Sequence, residues 1–109
     1  MKRLIAVLAA VAVAGAALMA IPAFGATKSV SVRDNVFSPR TLTVKRGTTL
    51  RFVWRGSNPH NVVVTRGPVR FRSTTKSRGS YRKRVTRRGT YRIICTIHQP
   101  NMRMTLRVR

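Results

Sequence analysis

One stretch near the C-terminus gathers the reactive side chains of this sequence: Cys95-Thr96-Ile97-His98-Gln99-Pro100-Asn101-Met102. It holds the sole cysteine, one of two histidines and a methionine within eight residues. A thiolate, an imidazole and a thioether together suit an ion that alternates between Cu(I), which prefers soft sulfur, and Cu(II), which accepts imidazole. Such a site needs a second imidazole, and the only other histidine is His60, in Asn58-Pro59-His60-Asn61-Val62-Val63-Val64. The expected centre is therefore one copper ion in a trigonal His60, Cys95, His98 set, with Met102 as a weak axial ligand. Taken singly, each residue has a plainer role: a lone cysteine is often a small buried hydrophobe, a loop histidine a polar surface residue, a methionine core. Jointly they occupy the places one metal site would need.

The second methionine, Met104, also lies close by. It is in register with Leu106 and Val108, so a last strand would point it into the core. Met102 follows the second histidine with less slack and is ranked as the ligand.

The elements that must position these residues read as strands, with no amphipathic-helix pattern. Val30 and Val32 alternate with polar residues, as does Thr41-Leu42-Thr43-Val44. Leu50, Phe52 and Trp54 share one face, and Val62-Val63-Val64 reads as a short buried strand. Tyr81, Lys83 and Val85 alternate with the lysine interrupting the apolar face. Tyr91, Ile93 and Cys95 lead into the ligand loop, and Met104, Leu106 and Val108 follow it. Asp34-Asn35, Ser38-Pro39, Lys45-Arg46-Gly47 and Arg87-Arg88-Gly89 are turn signals. Thr65 to Ser80, rich in Arg, Gly, Ser and Thr, reads as the least ordered stretch, anchored by Val69 and Phe71. About seven short strands with frequent turns predict an all-β, two-sheet Greek-key sandwich. Cys95 would end one strand at a pole of the sandwich, and His60, just before another strand, would reach the same pole.

The chain starts Met1-Lys2-Arg3, continues as an uncharged Ala-, Val- and Leu-rich run from Leu4 to Ile21, and then reads Pro22-Ala23-Phe24-Gly25. That is the layout of a secretory signal, with Ala23 and Gly25 at the positions that must be small for cleavage after Gly25. Residues 1–25 are expected to be a signal peptide and 26–109 a copper-binding domain in the periplasm or at the outer cell surface. The alternative is an uncleaved anchor, since the run of 18 residues approaches the length of a spanning helix. The remaining 84 residues form a domain that buries only about 60–65% of its unfolded surface. One cysteine makes no internal disulfide, and a metal would both occupy the thiol and stabilise the fold.

Charge is the other extreme feature: 23 Lys and Arg against a single acid, Asp34, for a formal +22. Loss of Lys2 and Arg3 with the leader leaves +20. Such a charge implies salt-sensitive attraction to polyanions. The basic residues are scattered over every strand and turn, and Phe52, Trp54, Tyr81 and Tyr91 sit at core-type positions. No stacking platform for nucleic acid is visible, and an export signal argues against DNA. The charge is read as steering toward an acidic redox partner protein or attachment to an anionic membrane or cell-wall surface.

With these residues in view, the chain resembles the cupredoxins, the small blue copper proteins that include plastocyanin, amicyanin and pseudoazurin. The resemblance is carried by Pro59-His60-Asn61-Val62-Val63, by Gly89-Thr90-Tyr91-Arg92-Ile93-Ile94-Cys95-Thr96-Ile97-His98, and by Val36-Phe37-Ser38-Pro39 with Val44-Lys45-Arg46-Gly47. It implies that His60, Cys95, His98 and Met102 are copper ligands. It also implies that Asn61 is an outer partner whose backbone N–H faces the thiolate. The Cys-x2-His-x3-Met loop is one residue longer than in amicyanin and one shorter than in plastocyanin. Met104 stands where the family usually has glycine, and no apolar docking patch shows in Gln99, Asn101 and Arg103.

Three functions follow: one-electron transfer through bound copper, copper carriage with the same ligands, or a polycation in which copper is incidental. An enzyme is not expected. Both histidines are committed to one centre, four protein ligands leave no open coordination position, and a Cys95/His98 hydrolytic pair would lack an oxyanion motif.

Overall fold

Alternating side chains make the strands, and the computed structural model, which describes residues 25–109, shows how they stack. The leader or anchor expected over residues 1–25 lies outside the described residues but for Gly25. Eight strands form among the described residues, where about seven were expected: β1 Thr27–Arg33, β2 Val36–Ser38, β3 Thr41–Val44, β4 Thr48–Trp54, β5 Val63–Arg66, β6 Ser80–Val85, β7 Gly89–Ile94 and β8 Arg103–Val108. The added strand, β2, is three residues long, too short to display a period of two. No helix occurs among the described residues, so none there is long and apolar enough to cross a membrane.

The strands form two four-stranded sheets, ordered β2-β1-β4-β6 and β3-β8-β7-β5. Two pairings are parallel, β1 with β4 and β3 with β8; the others are antiparallel. The expected parity holds along β4, where Leu50, Phe52 and Trp54 are buried and Arg51 and Val53 are half-exposed. Val30, Val32 and Phe37 join them from the first sheet, facing Val64, Tyr91, Ile93, Met104, Leu106 and Val108 from the second. Each such side chain, fully buried, contributes about 1.5–3 kcal/mol against exposure.

Lys83 interrupts the apolar face of β6, and its ammonium lies 5.7 Å over the Phe71 ring. Tyr81 is half-buried rather than core, tilted against Phe52 and Phe71. The stretch expected to be least ordered is instead built into the fold. Phe71 to Lys76 runs alongside His60 to Val64, with Val64 N–H donating to Phe71 O at 3.0 Å, Ser73 N–H to Val62 O at 2.8 Å and Lys76 N–H to His60 O at 3.0 Å. These bonds are made by backbone, so side-chain pattern gave no sign of them.

Parallel pairing of β1 with β4 sets Val32 beside Trp54, so both strands end at one pole. There Asp34, just past β1, meets the loop that follows Trp54. The β7–β8 connection, residues 95–102, closes the same pole from the second sheet.

Candidate metal centre

Cys95 directly follows Ile94, the last residue of β7, and it is fully buried. The loop after it is tied by its own backbone. Cys95 N–H donates to Met102 O at 3.0 Å, Met102 N–H to His98 O at 3.1 Å, and His98 N–H to Cys95 O at 3.3 Å. The hairpin therefore returns to its start, and Met102 is held between the backbones of the two loop donors, its side chain fully buried. Met104, on β8 opposite Ile93, is also buried.

His60 comes from the connection between β4 and β5, beside β7 in the same sheet through the β5–β7 pairing, and is completely buried. Its backbone is bonded on both faces: His60 N–H donates to Lys76 O at 2.9 Å, and His60 O accepts from Lys76 N–H at 3.0 Å and from Trp54 Nε1–H at 3.1 Å. The adjacent Asn61 is the strut between the two halves. Its Oδ1 accepts from Thr96 N–H at 2.8 Å, and its Nδ2 donates to Thr96 Oγ1 at 2.8 Å and Thr75 Oγ1 at 3.2 Å.

These braces bring three donor atoms together. His60 Nδ1 lies 3.1 Å from His98 Nδ1 and 3.9 Å from Cys95 Sγ, and His98 Nδ1 lies 3.4 Å from Cys95 Sγ. His98 is half-buried, so one ring of the triangle reaches toward solvent. Three donors at about 2.0 Å (nitrogen) and about 2.3 Å (thiolate) from a first-row ion would stand roughly 3.5–3.8 Å apart in a trigonal plane. The observed triangle spans that range to within a few tenths of an ångström. Two imidazole nitrogens and a buried sulfur converge so that a cation placed between them would take one lone pair from each. The donor set fits a single type 1 copper site.

A residue absent from the sequence expectations sits behind this triangle. Asp34 Oδ1 is 3.1 Å from His60 Nε2. Both Asp34 oxygens accept from Ser57 N–H at 3.0 Å, and Oδ1 accepts from Asn58 N–H at 2.8 Å. Those amides, Ser57 first, and then the His60 ring hold the Asp34 carboxyl at about 2, below its ordinary 3.8. In the sequence Asp34-Asn35 is a turn signal. Its one distinguishing sign was being the sole acid among so many bases. Thr75, Lys76 and Trp54, which brace the site, carried no chemical signature in the sequence.

Residues 26–109 match the family model described as copper binding proteins, plastocyanin/azurin family. Among solved structures, a reduced tryptophan-to-tyrosine mutant of amicyanin is 28% identical, with a TM-score of 0.68 over 76% of this chain and 82% of its own. A reduced proline-to-phenylalanine mutant of amicyanin is 30% identical, with a TM-score of 0.67 over 83% of this chain and 88% of its own. A copper-containing nitrite reductase from Thermus scotoductus SA-01 is 32% identical, with a TM-score of 0.65 over 74% of this chain. The chain spans only 22% of that reductase. No curated protein sequence matches. A match over nearly all the described residues, agreeing with the donor triangle and the two-sheet fold, places the chain in the plastocyanin/azurin family of copper-binding proteins, a cupredoxin.

Proposed function

We propose that this protein is an exported one-electron carrier, with copper held by His60, Cys95 and His98 and with Met102 as the weak axial ligand. The observation that carries it is the buried triangle of two imidazole nitrogens and one sulfur, no two atoms more than 3.9 Å apart. Copper bound there would supply a Cu(I)/Cu(II) couple. The chain's own part is to hold the donors still. His60 is fixed by backbone bonds to Lys76 and Trp54, the loop by its bonds to itself, and the two are joined through Asn61. Donors that keep their places in both oxidation states make electron transfer fast, because little needs to rearrange. Cys95 and His60 exclude water, and the half-buried His98 gives the route to the surface. Next to it in the chain, Ile97 is half exposed and offers an apolar side chain at the surface.

The same rigidity favours transfer over copper carriage, because two of the three donors are wholly buried. A carrier rather than an enzyme is supported by the two histidines of the chain both standing in one triangle. The basic start and apolar run of residues 1–25 support export.

An acidic redox partner is favoured by the outer face of the second sheet. Arg40, Arg66, Arg92 and Arg103 line an open groove of about 750 Å³ that ends at Ile94 and Asn101, the neighbours of Cys95 and Met102. Arg66 stands directly opposite Arg92 in the β5–β7 register. Like charges placed so are destabilising unless an anion meets them, and the single acid of the chain is bound at the other site. Planar guanidinium forks suit carboxylates well. An anionic membrane or cell-wall surface would use the same face with less precision.

The test is a visible spectrum after addition of Cu(II). The wild-type protein is expected to take up one copper and turn blue through thiolate-to-Cu(II) charge transfer, and Cys95→Ser to stay colourless. A colourless wild-type protein that holds Zn(II) and forms no stable Cu(II) complex would overturn the reading.

A further inference from the structure

The one acidic side chain of the molecule lies against the ring of a metal-binding histidine. Asp34 is alone among 109 residues that include 23 Lys and Arg, so a random placement would leave it within reach of some guanidinium. Instead its only ion-pair contact among the described residues is His60 Nε2, at 3.1 Å. The local backbone is arranged to hold it there. Ser57 and Asn58 present their N–H groups to its oxygens. Arg55 N–H donates to Val32 O at 2.9 Å, tying that loop to the strand from which Asp34 emerges. Gly56 is required by the approach: a Cβ there would collide with the Asp34 carboxylate and with its backbone nitrogen.

A carboxylate accepts hydrogen bonds and does not donate them. The proton of a neutral His60 ring must then sit on Nε2, which leaves the Nδ1 lone pair for the triangle with His98 and Cys95. A hydrogen-bonded carboxylate also makes the imidazole a stronger donor, which favours the more highly charged state of a bound metal. His98 has no such partner: among the described residues its Nε2 makes no hydrogen bond. The two imidazoles are thus unequal, one locked and charge-assisted, the other held through its loop.

We infer that Asp34 is a positioning residue of the metal centre. It fixes His60 in the Nε2–H tautomer and biases bound copper toward Cu(II). The inference rests on the copper reading and extends it to a residue that touches no metal.

The experiment compares wild type with Asp34→Asn, which keeps an acceptor oxygen and removes the charge, and with Asp34→Ala. Copper affinity in each oxidation state and the reduction potential are measured on the loaded proteins. Asp34→Asn is expected to remain blue, to bind Cu(II) about tenfold more weakly or worse, to lose less affinity for Cu(I), and so to show a raised potential. Asp34→Ala should move further in the same direction. A purely structural role would weaken both oxidation states alike and leave the potential unmoved, and that result, in a wild type that is blue, overturns the inference alone. A wild type lacking the thiolate band overturns the copper reading and this inference with it. The wild-type Cu(I) protein supplies a test independent of folding in the variants: nitrogen-15 spectra should show a solvent-protected Nε2–H on His60 and a fast-exchanging one on His98. A His60 ring protonated on Nδ1, or an Nε2–H that exchanges as fast as that of His98, would contradict the assignment.

Discussion

Asn61 and Thr96, 35 residues apart in sequence, are bonded twice: Thr96 N–H to Asn61 Oδ1 and Asn61 Nδ2 to Thr96 Oγ1, both at 2.8 Å. One partner follows His60 and the other follows Cys95. The pair therefore sets the distance between the two metal-binding segments independently of any ion. Asn61→Ala should leave the half-buried Thr96 amide unpaired, costing about 1–3 kcal/mol of apo stability. It should also speed copper loss to a chelator. Thermal unfolding and the decay of the blue band check these together. Thr75→Ala, which removes only the 3.2 Å bond, should do much less.

The two methionines should separate by readout. Met102 is pinned by backbone bonds to Cys95 and His98, and Met104 belongs to β8 and the core. Met102→Leu should shift the potential and spectrum with little effect on apo stability. Met104→Ala should cost about 2–5 kcal/mol of stability and leave the spectrum largely intact. The converse pattern in optical and electrochemical measurements would exchange the roles.

Arg66 offers two effects of opposite sign. Its partner across the strands is Arg92, so Arg66→Glu should replace a repulsive pair by an attractive one and raise stability by about 0.2–1 kcal/mol. The same change should weaken association with an acidic partner protein and reduce its dependence on salt between low and physiological ionic strength. Calorimetry on the domain and binding titrations at several salt concentrations would report both. The copper spectrum should not respond.

Acid stability of the apo protein should carry the mark of one carboxylate. The folded pKa of Asp34, about 2, lies below the ordinary 3.8. Its contribution is complete above the unfolded value and disappears as pH falls through the folded one. The melting temperature of apo wild type should therefore fall between about pH 4 and about pH 2, and that segment of the profile should flatten in Asp34→Asn. Thermal melts of the two proteins across this range decide it.

The sequence by itself determined the donor set and most of the sheets. Scarcity did the first: with one cysteine and two histidines, any site built from sulfur and imidazole could draw only on Cys95, His60 and His98. Parity did the second, since alternation along Leu50, Phe52 and Trp54, or Met104, Leu106 and Val108, survives any arrangement that buries one face. What only the tertiary structure decided is the surroundings of those donors. The wall from Phe71 to Lys76 is attached through main-chain N–H and C=O groups, which every residue possesses, so its Arg, Ser and Thr content resembled a loose loop. The strand β2 was too short for its pattern to show. The partnership of Asp34 with His60 depends on β1 and β4 running parallel, Val32 beside Trp54, so that a turn residue meets a loop more than twenty positions away. Aspartate is common in turns for its own local hydrogen bonds, and its contact with a distant imidazole arises from the register of two strands.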